Sequence, residues 1–217
     1  MTTPSTGARV TDLKPTDPTV AELAPAGPAP AELPRVGLPS AELPPAELPL
    51  ADLPLADFLR TLPHGILFAA VHFTDRQGRP LLLESVYDPE VWQFAGGNLE
   101  FGSEPWECAR REVLEETGLT LPQHPTPPLL ALLFVAASGE WPFKVGVVFD
   151  GGELTEAQLG ALVLDPAEHS AFAVHSLEHW RTVLAPNRLA LLEAVTAARA
   201  TGRAAYLHQL PAPRTEG

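Results

Sequence analysis

Cysteine is nearly missing from this chain: Cys108 is the one thiol among 217 residues. A single thiol allows no intrachain disulfide, and a reducing cytoplasm is the expected home. Positive charge is scarce as well. The 14 Lys and Arg stand against 27 Asp and Glu, a formal net charge of −13. That balance argues against non-specific attraction to nucleic acid or to an anionic membrane surface. It leaves room for an anionic small substrate, because a bound divalent cation reverses the sign of a site locally. Long apolar runs are absent too. Runs such as Ile66 to Val71 are too short to span a bilayer. The N-terminal Met-Thr-Thr-Pro-Ser lacks the basic-then-apolar order of a signal peptide. A soluble cytoplasmic protein is expected, with neither nucleic acid nor membrane as partner.

Proline, by contrast, is abundant at 25 residues, and it is unevenly spread. Ala-Glu-Leu-Pro recurs at 31–34, 41–44 and 46–49, and Ala-Asp-Leu-Pro follows at 51–54. Prolines this dense forbid a continuous helix and block a sheet ladder. Residues 1–57 are expected to form a disordered Pro-rich tail with polyproline II character. It serves either as a docking segment or as a plain extension. Residues 58–208 are expected to fold, and 209–217 to form a flexible C-terminus.

Within the folded part, Gly65 to Phe73 reads as a buried strand and Pro80 to Tyr87 as its hairpin partner. Val91 to Ala95 is a short strand running into a Gly96-Gly97 turn, and Leu99 to Phe101 is a further candidate. A helix is expected over 105–117, with Pro105 in its first turn and Gly118 at its C-terminal cap. Strands follow at 128–135 and 143–149, the second with Phe143, Val145, Val147 and Phe149 on one face. Thr155-Glu-Ala-Gln158 has the form of a capping box. A strand at 171–175 and helices over 176–184 and 187–201 complete an α+β domain, a mixed sheet with helices packed over it.

The chemistry concentrates in the 105–117 helix. Glu112 and Glu116 are four apart, Glu112 and Glu115 three apart. Such spacings place carboxylates on one helical face, where like charges cost a few tenths of a kcal/mol per pair. A helix that stacks three of them wants a cation, and Arg111, four before Glu115, neutralises only part. Magnesium takes oxygen ligands and keeps waters that a phosphate can displace. Ala109, Val113 and Leu114 are expected to pack the opposite side on the sheet.

The segment from Gly97 to Leu119 resembles the box of the Nudix hydrolases, G-x5-E-x7-R-E-U-x-E-E-x-G-U with U apolar. Arg111, Glu112, Val113, Glu115, Glu116, Gly118 and Leu119 fall at matching places, and Trp92 and Gly96 resemble the usual lead-in. The resemblance implies a Nudix-like mixed sheet sandwiched between helices. It implies hydrolysis of a diphosphate linkage in a nucleoside diphosphate derivative, with Mg2+ or Mn2+. By carry-over, Glu112, Glu116 and Glu115 are the metal ligands with the carbonyl of Gly97, and Arg111 orients a glutamate. The implied partner is a small nucleotide, and such domains often pair as homodimers.

Two positions depart from the pattern. Ser103 stands where the first glutamate belongs and Glu104 follows it, a transposed pair, and Ala95 replaces a common proline. Ser103 supports an alternative, a non-catalytic module that binds a nucleotide. A third alternative makes the Pro-rich tail the interacting part. Outside the box, Lys144, one of two lysines, and Trp92 are candidate substrate contacts, against solvent exposure for the first and core packing for the second. Glu153, Glu156 and Glu168 are candidate general bases. Cys108 is expected to be a packing residue, and the histidines show no metal-ligand spacing.

Overall fold

The computed structural model describes residues 54–209. Residues 1–53 of the expected tail and 210–217 of the expected C-terminus lie outside them. The described residues divide near Gly65. On its N-terminal side lies helix α1 (Leu55–Thr61), with an Asp57–Arg60 ion pair of 2.7 Å and no buried residue.

The larger unit is built on one eight-stranded mixed sheet. Its strands are β1 (Gly65–Asp75), β2 (Pro80–Ser85), β3 (Trp92–Gln93), β4 (Ala95–Asn98), β5 (Leu129–Val135), β6 (Phe143–Leu154), β7 (His169–Val174) and β8 (Ala205–Gln209). The order β3-β2-β1-β6-β5-β8 forms the main path, with β4 against β1 and β7 against β2. The β1–β4, β2–β7 and β5–β6 pairs are antiparallel, and β8 runs parallel to β5. The helices are α2 (Pro105–Thr117), α3 (Glu156–Gly160), α4 (Leu177–Val183) and α5 (Pro186–Thr201).

The apolar run of β1 has no polar side because both faces of the sheet are covered. Ala69, Val71 and Phe73 join Leu81 and Leu83 in a core closed by Trp106, Cys108, Ala109 and Val113 of α2. Phe68 and Leu82 point the other way, into a core with Trp180 and Leu184 and with Leu192 and Val195 of α5. Each fully buried side chain of this size contributes about 1.5–3 kcal/mol. Trp180 satisfies its indole N–H on the Pro80 carbonyl at 3.2 Å.

The helix ends follow local chemistry. Thr155 and Gln158 form the expected reciprocal capping box, and Ser176 caps α4 through the His179 N–H. Gly118, at φ 72°, closes α2 in the left-handed conformation, its N–H bonded to the Leu114 carbonyl.

Four expectations are corrected. Gly96-Gly97 is not a turn; both residues belong to β4, opposite Ala70 and Ala69. Small residues facing one another let these backbones approach, so pairing continues where the glycines signal a break. Leu99 to Phe101 is consequently a loop and not a strand. Leu114 is 50% exposed rather than packed on the sheet, because the buried stripe of α2 runs through Cys108, Ala109 and Val113. β6 continues through Asp150-Gly151-Gly152 to Leu154, which is buried in the α2-side core.

Candidate metal and phosphate site

Three segments converge on one buried carboxylate. Glu116, in the last turn of α2, is 2% exposed. Its Oε2 accepts a hydrogen bond from the Gly96 N–H of β4 at 2.8 Å. Its Oε1 lies 3.0 Å from Nε2 of His169, the first residue of β7. The other ring nitrogen, Nδ1, lies 3.3 Å from the Glu84 carbonyl oxygen. A carbonyl only accepts, so Nδ1 carries a proton. Nε2 is buried beside the Glu116 carboxylate. A ring nitrogen and a carboxylate oxygen 3.0 Å apart are held together by a proton on Nε2 or by a cation.

Glu168, half-buried beside His169, completes a cluster. Glu116, Glu168 and His169 each offer a ligand atom, and the three atoms lie within 4.8 Å of one another. One turn up the helix, Glu112 lies against Gly97. A Cβ at position 97 would sit 2.6 Å from both Glu112 carboxylate oxygens, so a larger residue there would displace this carboxylate. The Gly97 carbonyl faces α2 as well, 3.6 Å from Cys108 Sγ.

Burial dominates the electrostatics. It pushes the Glu112 carboxyl up to about 7, Arg111 partly opposing the shift and Glu116 and Glu115 adding to it. Burial also raises Glu116, against the lowering pull of His169. For His169, burial works against the charged ring, and the neighbouring Glu116 outweighs it. Arg111 donates to Glu112 at 2.7 Å and to Glu115 at 3.0 Å, with Glu100 at 3.6 Å. Carboxylates drawn together and partly withdrawn from water are the donor set a hard divalent cation fits.

The fold is matched by known proteins. The NUDIX domain family matches residues 63–195 of the sequence. The chain belongs to the Nudix family. Its fold is similar to that of the MutT protein from Methanosarcina mazei Go1, at 21% identity over 62% of this chain and 94% of that one, TM-score 0.51. The E. coli ORF135 protein matches at 24% identity over 69% and 97%, TM-score 0.51. A MutT Nudix hydrolase from Burkholderia pseudomallei matches at 21% over 61% and 98%, TM-score 0.50. Among curated proteins, none matches the sequence significantly.

Within this Nudix domain the expected residues separate. Glu112, Glu116 and Gly97 come together at the β4–α2 contact. Glu115 does not join them; its side chain is 57% exposed and tied to Arg111. Of the three candidate bases, Glu168 lies in the cluster, while Glu153 and Glu156 are exposed on the end of β6 and on α3. The transposed pair is also resolved. Glu104 caps α2, its two oxygens accepting from the Trp106 and Glu107 N–H groups at 3.0 Å each. Its carboxylate is spent there and does not replace the glutamate missing at Ser103.

Lys144 and Trp92 lie elsewhere, lining a cavity of about 280 Å³ between the sheet and α5. Gly96 lines the same cavity, so one residue links it to the Glu116 carboxylate. Trp92 also packs on Trp180, with ring centroids 5.3 Å apart, and thus serves the core and the cavity wall together. His169 was missed in the sequence. The adjacent Glu168-His169 pair at the start of a strand was its only signal, because its partners lie 53 to 85 positions away.

Proposed function

We propose that the chain is a metal-dependent hydrolase that cuts a diphosphate linkage in a nucleoside diphosphate derivative. The observation that carries this reading is the surroundings of Glu116: a buried carboxylate fixed by the Gly96 N–H, facing Nε2 of His169 at 3.0 Å with Glu168 beside them. Membership of the Nudix family supports the same chemistry.

Glu112, Glu116 and His169 would hold Mg2+ or Mn2+, with the Gly97 carbonyl facing the same helix. The bound ion would neutralise the phosphates and supply electrostatic stabilisation as charge develops on the leaving oxygen. The chain's own groups have separate tasks. Arg111 holds Glu112 and Glu115 in place through its two terminal nitrogens. Gly96 fixes one oxygen of Glu116, and Glu84 fixes the His169 tautomer through Nδ1, as partners of metal ligands commonly do. Glu168, half-buried at the edge of the cluster, is the group placed to take a proton from an attacking water. The cavity with Lys144 and Trp92 would take the nucleoside. Among the described residues no helix is long and apolar enough to cross a membrane; we assign the activity to the cytoplasm on the near-absence of cysteine.

The test is turnover of a panel of nucleoside triphosphates, dinucleoside polyphosphates, nucleotide sugars and ADP-ribose with Mg2+, beside Glu116→Gln. Metal-dependent release of phosphate or pyrophosphate, lost in the variant, is expected. The second reading, a binding module, is favoured by one observation: Ser103 supplies no carboxylate and Glu104 is committed to the helix cap. Stabilisation by a nucleotide without turnover of any panel member would establish it in place of the first.

A further inference from the structure

The cavity under α5 holds information that diphosphate cleavage does not use. Its floor is aromatic. Phe68 lies over Gly146 so closely that a Cβ there would overlap the ring, and Trp92 and Phe94 complete the walls. A volume of about 280 Å³ is near the lower end for ligand pockets and suits one planar base better than a second nucleotide.

The polar lining is selective in kind. Lys144 and Arg188 supply donors and no acceptors, and Gln93, Asn187 and Gln209 supply carboxamides, which do both. No Asp or Glu lines the cavity, although the chain has 27 of them. The Lys144 ammonium is restrained over the Trp141 ring, 4.5 Å from its centroid. Arg and Lys recognise the carbonyl oxygen of guanine, whereas Asp and Glu accept from the amine of cytosine. A cation facing the exocyclic amine of adenine or cytosine would meet a donor with a donor. Guanine and uracil instead present a carbonyl oxygen beside a ring N–H, and a cation with a carboxamide satisfies both.

We propose that this cavity reads the base of the substrate and selects keto bases, guanine and uracil, over the amino bases adenine and cytosine. The proposal rests on the hydrolase reading only for what the bound nucleotide then undergoes. Binding can therefore be measured apart from turnover.

The experiment is calorimetric titration of the full-length protein with GMP, UMP, AMP and CMP in the absence of divalent metal. GMP and UMP are expected to bind about 10-fold tighter than AMP and CMP, the effect of one well-placed base contact. Lys144→Met should erase most of that ratio with the melting temperature retained. Gly146→Ala, which forces Phe68 toward the cavity, should weaken all four ligands. Equal affinities, a preference for AMP or CMP, or binding of none would overturn the proposal. Turnover assays with Mg2+ run in parallel. A keto preference in binding without hydrolysis of any nucleotide would remove the hydrolase reading alone. Hydrolysis without base preference would remove the base reading alone.

Discussion

Beside α2, the polar groups are carboxylates: Glu112, Glu116 and Glu168, with His169 among them. Across the sheet, beneath α5, the cavity is lined by Lys144, Arg188 and three carboxamides, and by no carboxylate. Both sides rest on similar apolar cores drawn from alternate residues of the same strands. β4 separates the two environments by little more than one backbone, since Gly96 lines the cavity while its N–H holds Glu116. On the proposed function, cation binding and bond cleavage belong to one side and recognition to the other. Perturbing one side should therefore leave the other's property standing.

The largest expected effect is on the acidic side. Chelating divalent metal should abolish turnover, and added Mg2+ or Mn2+ should restore it; activity that survives exhaustive chelation would break the assignment. Next in size is a change on the α5 side. Leu192→Ala empties a fully buried position and should cost about 2–5 kcal/mol of stability in denaturant titration. Metal affinity of the folded variant should be unchanged, and a fall there would show that the two sides are coupled.

The third effect concerns His72, fully buried on β1 with neither ring nitrogen hydrogen-bonded. Burial first, then Arg199, lowers its pKa from 6.5 to about 4, with Asp150 opposing. The unfolded chain takes up the proton near pH 6.5 while the folded one refuses it until about pH 4. Stability from this residue is thus complete above pH 6.5 and falls as pH drops toward 4, by an amount of order 3 kcal/mol. His72→Leu should flatten that part of the stability profile, and an unaltered slope would refute the account of His72.

Smaller again is Gly97→Ala. Its Cβ would collide with the Glu112 carboxylate and should weaken metal-supported turnover by roughly 10–100-fold, the usual range for disturbing a ligand's support. Smallest is Glu115→Gln. This carboxylate is mostly exposed and paired with Arg111, so a loss of no more than about fivefold is expected, as for a surface ion pair. A loss as large as that of Glu116 would place Glu115 inside the metal site.

Much of this division was legible in the sequence. The buried strands β1 and β2, the caps of α3 and α4 and the span of α2 all follow from local pattern, because each is decided within a few residues. The box also singled out Glu112 and Glu116, which the fold sets beside Gly97 and Gly96 of β4. What local pattern did not reveal depends on distant partners. His169 matters because Glu116 and Glu84 stand opposite it, and β8 exists because β5 offers a parallel edge. The glycines 96 and 97 are turn residues by composition, yet here they are strand residues chosen for close approach. Ser103 and Glu104 read as a transposed pair, and only the cap geometry shows that Glu104 is engaged elsewhere.

The most direct test of the central claim is a Mn2+ titration followed by electron paramagnetic resonance, in the intact chain and in Glu116→Gln. Saturable binding in the first and an affinity at least about 10-fold weaker in the second, with loss of turnover, is the expected result. Equal affinity and equal turnover in the two proteins would contradict it, and would move the metal and the chemistry away from the carboxylate that β4, α2 and β7 enclose.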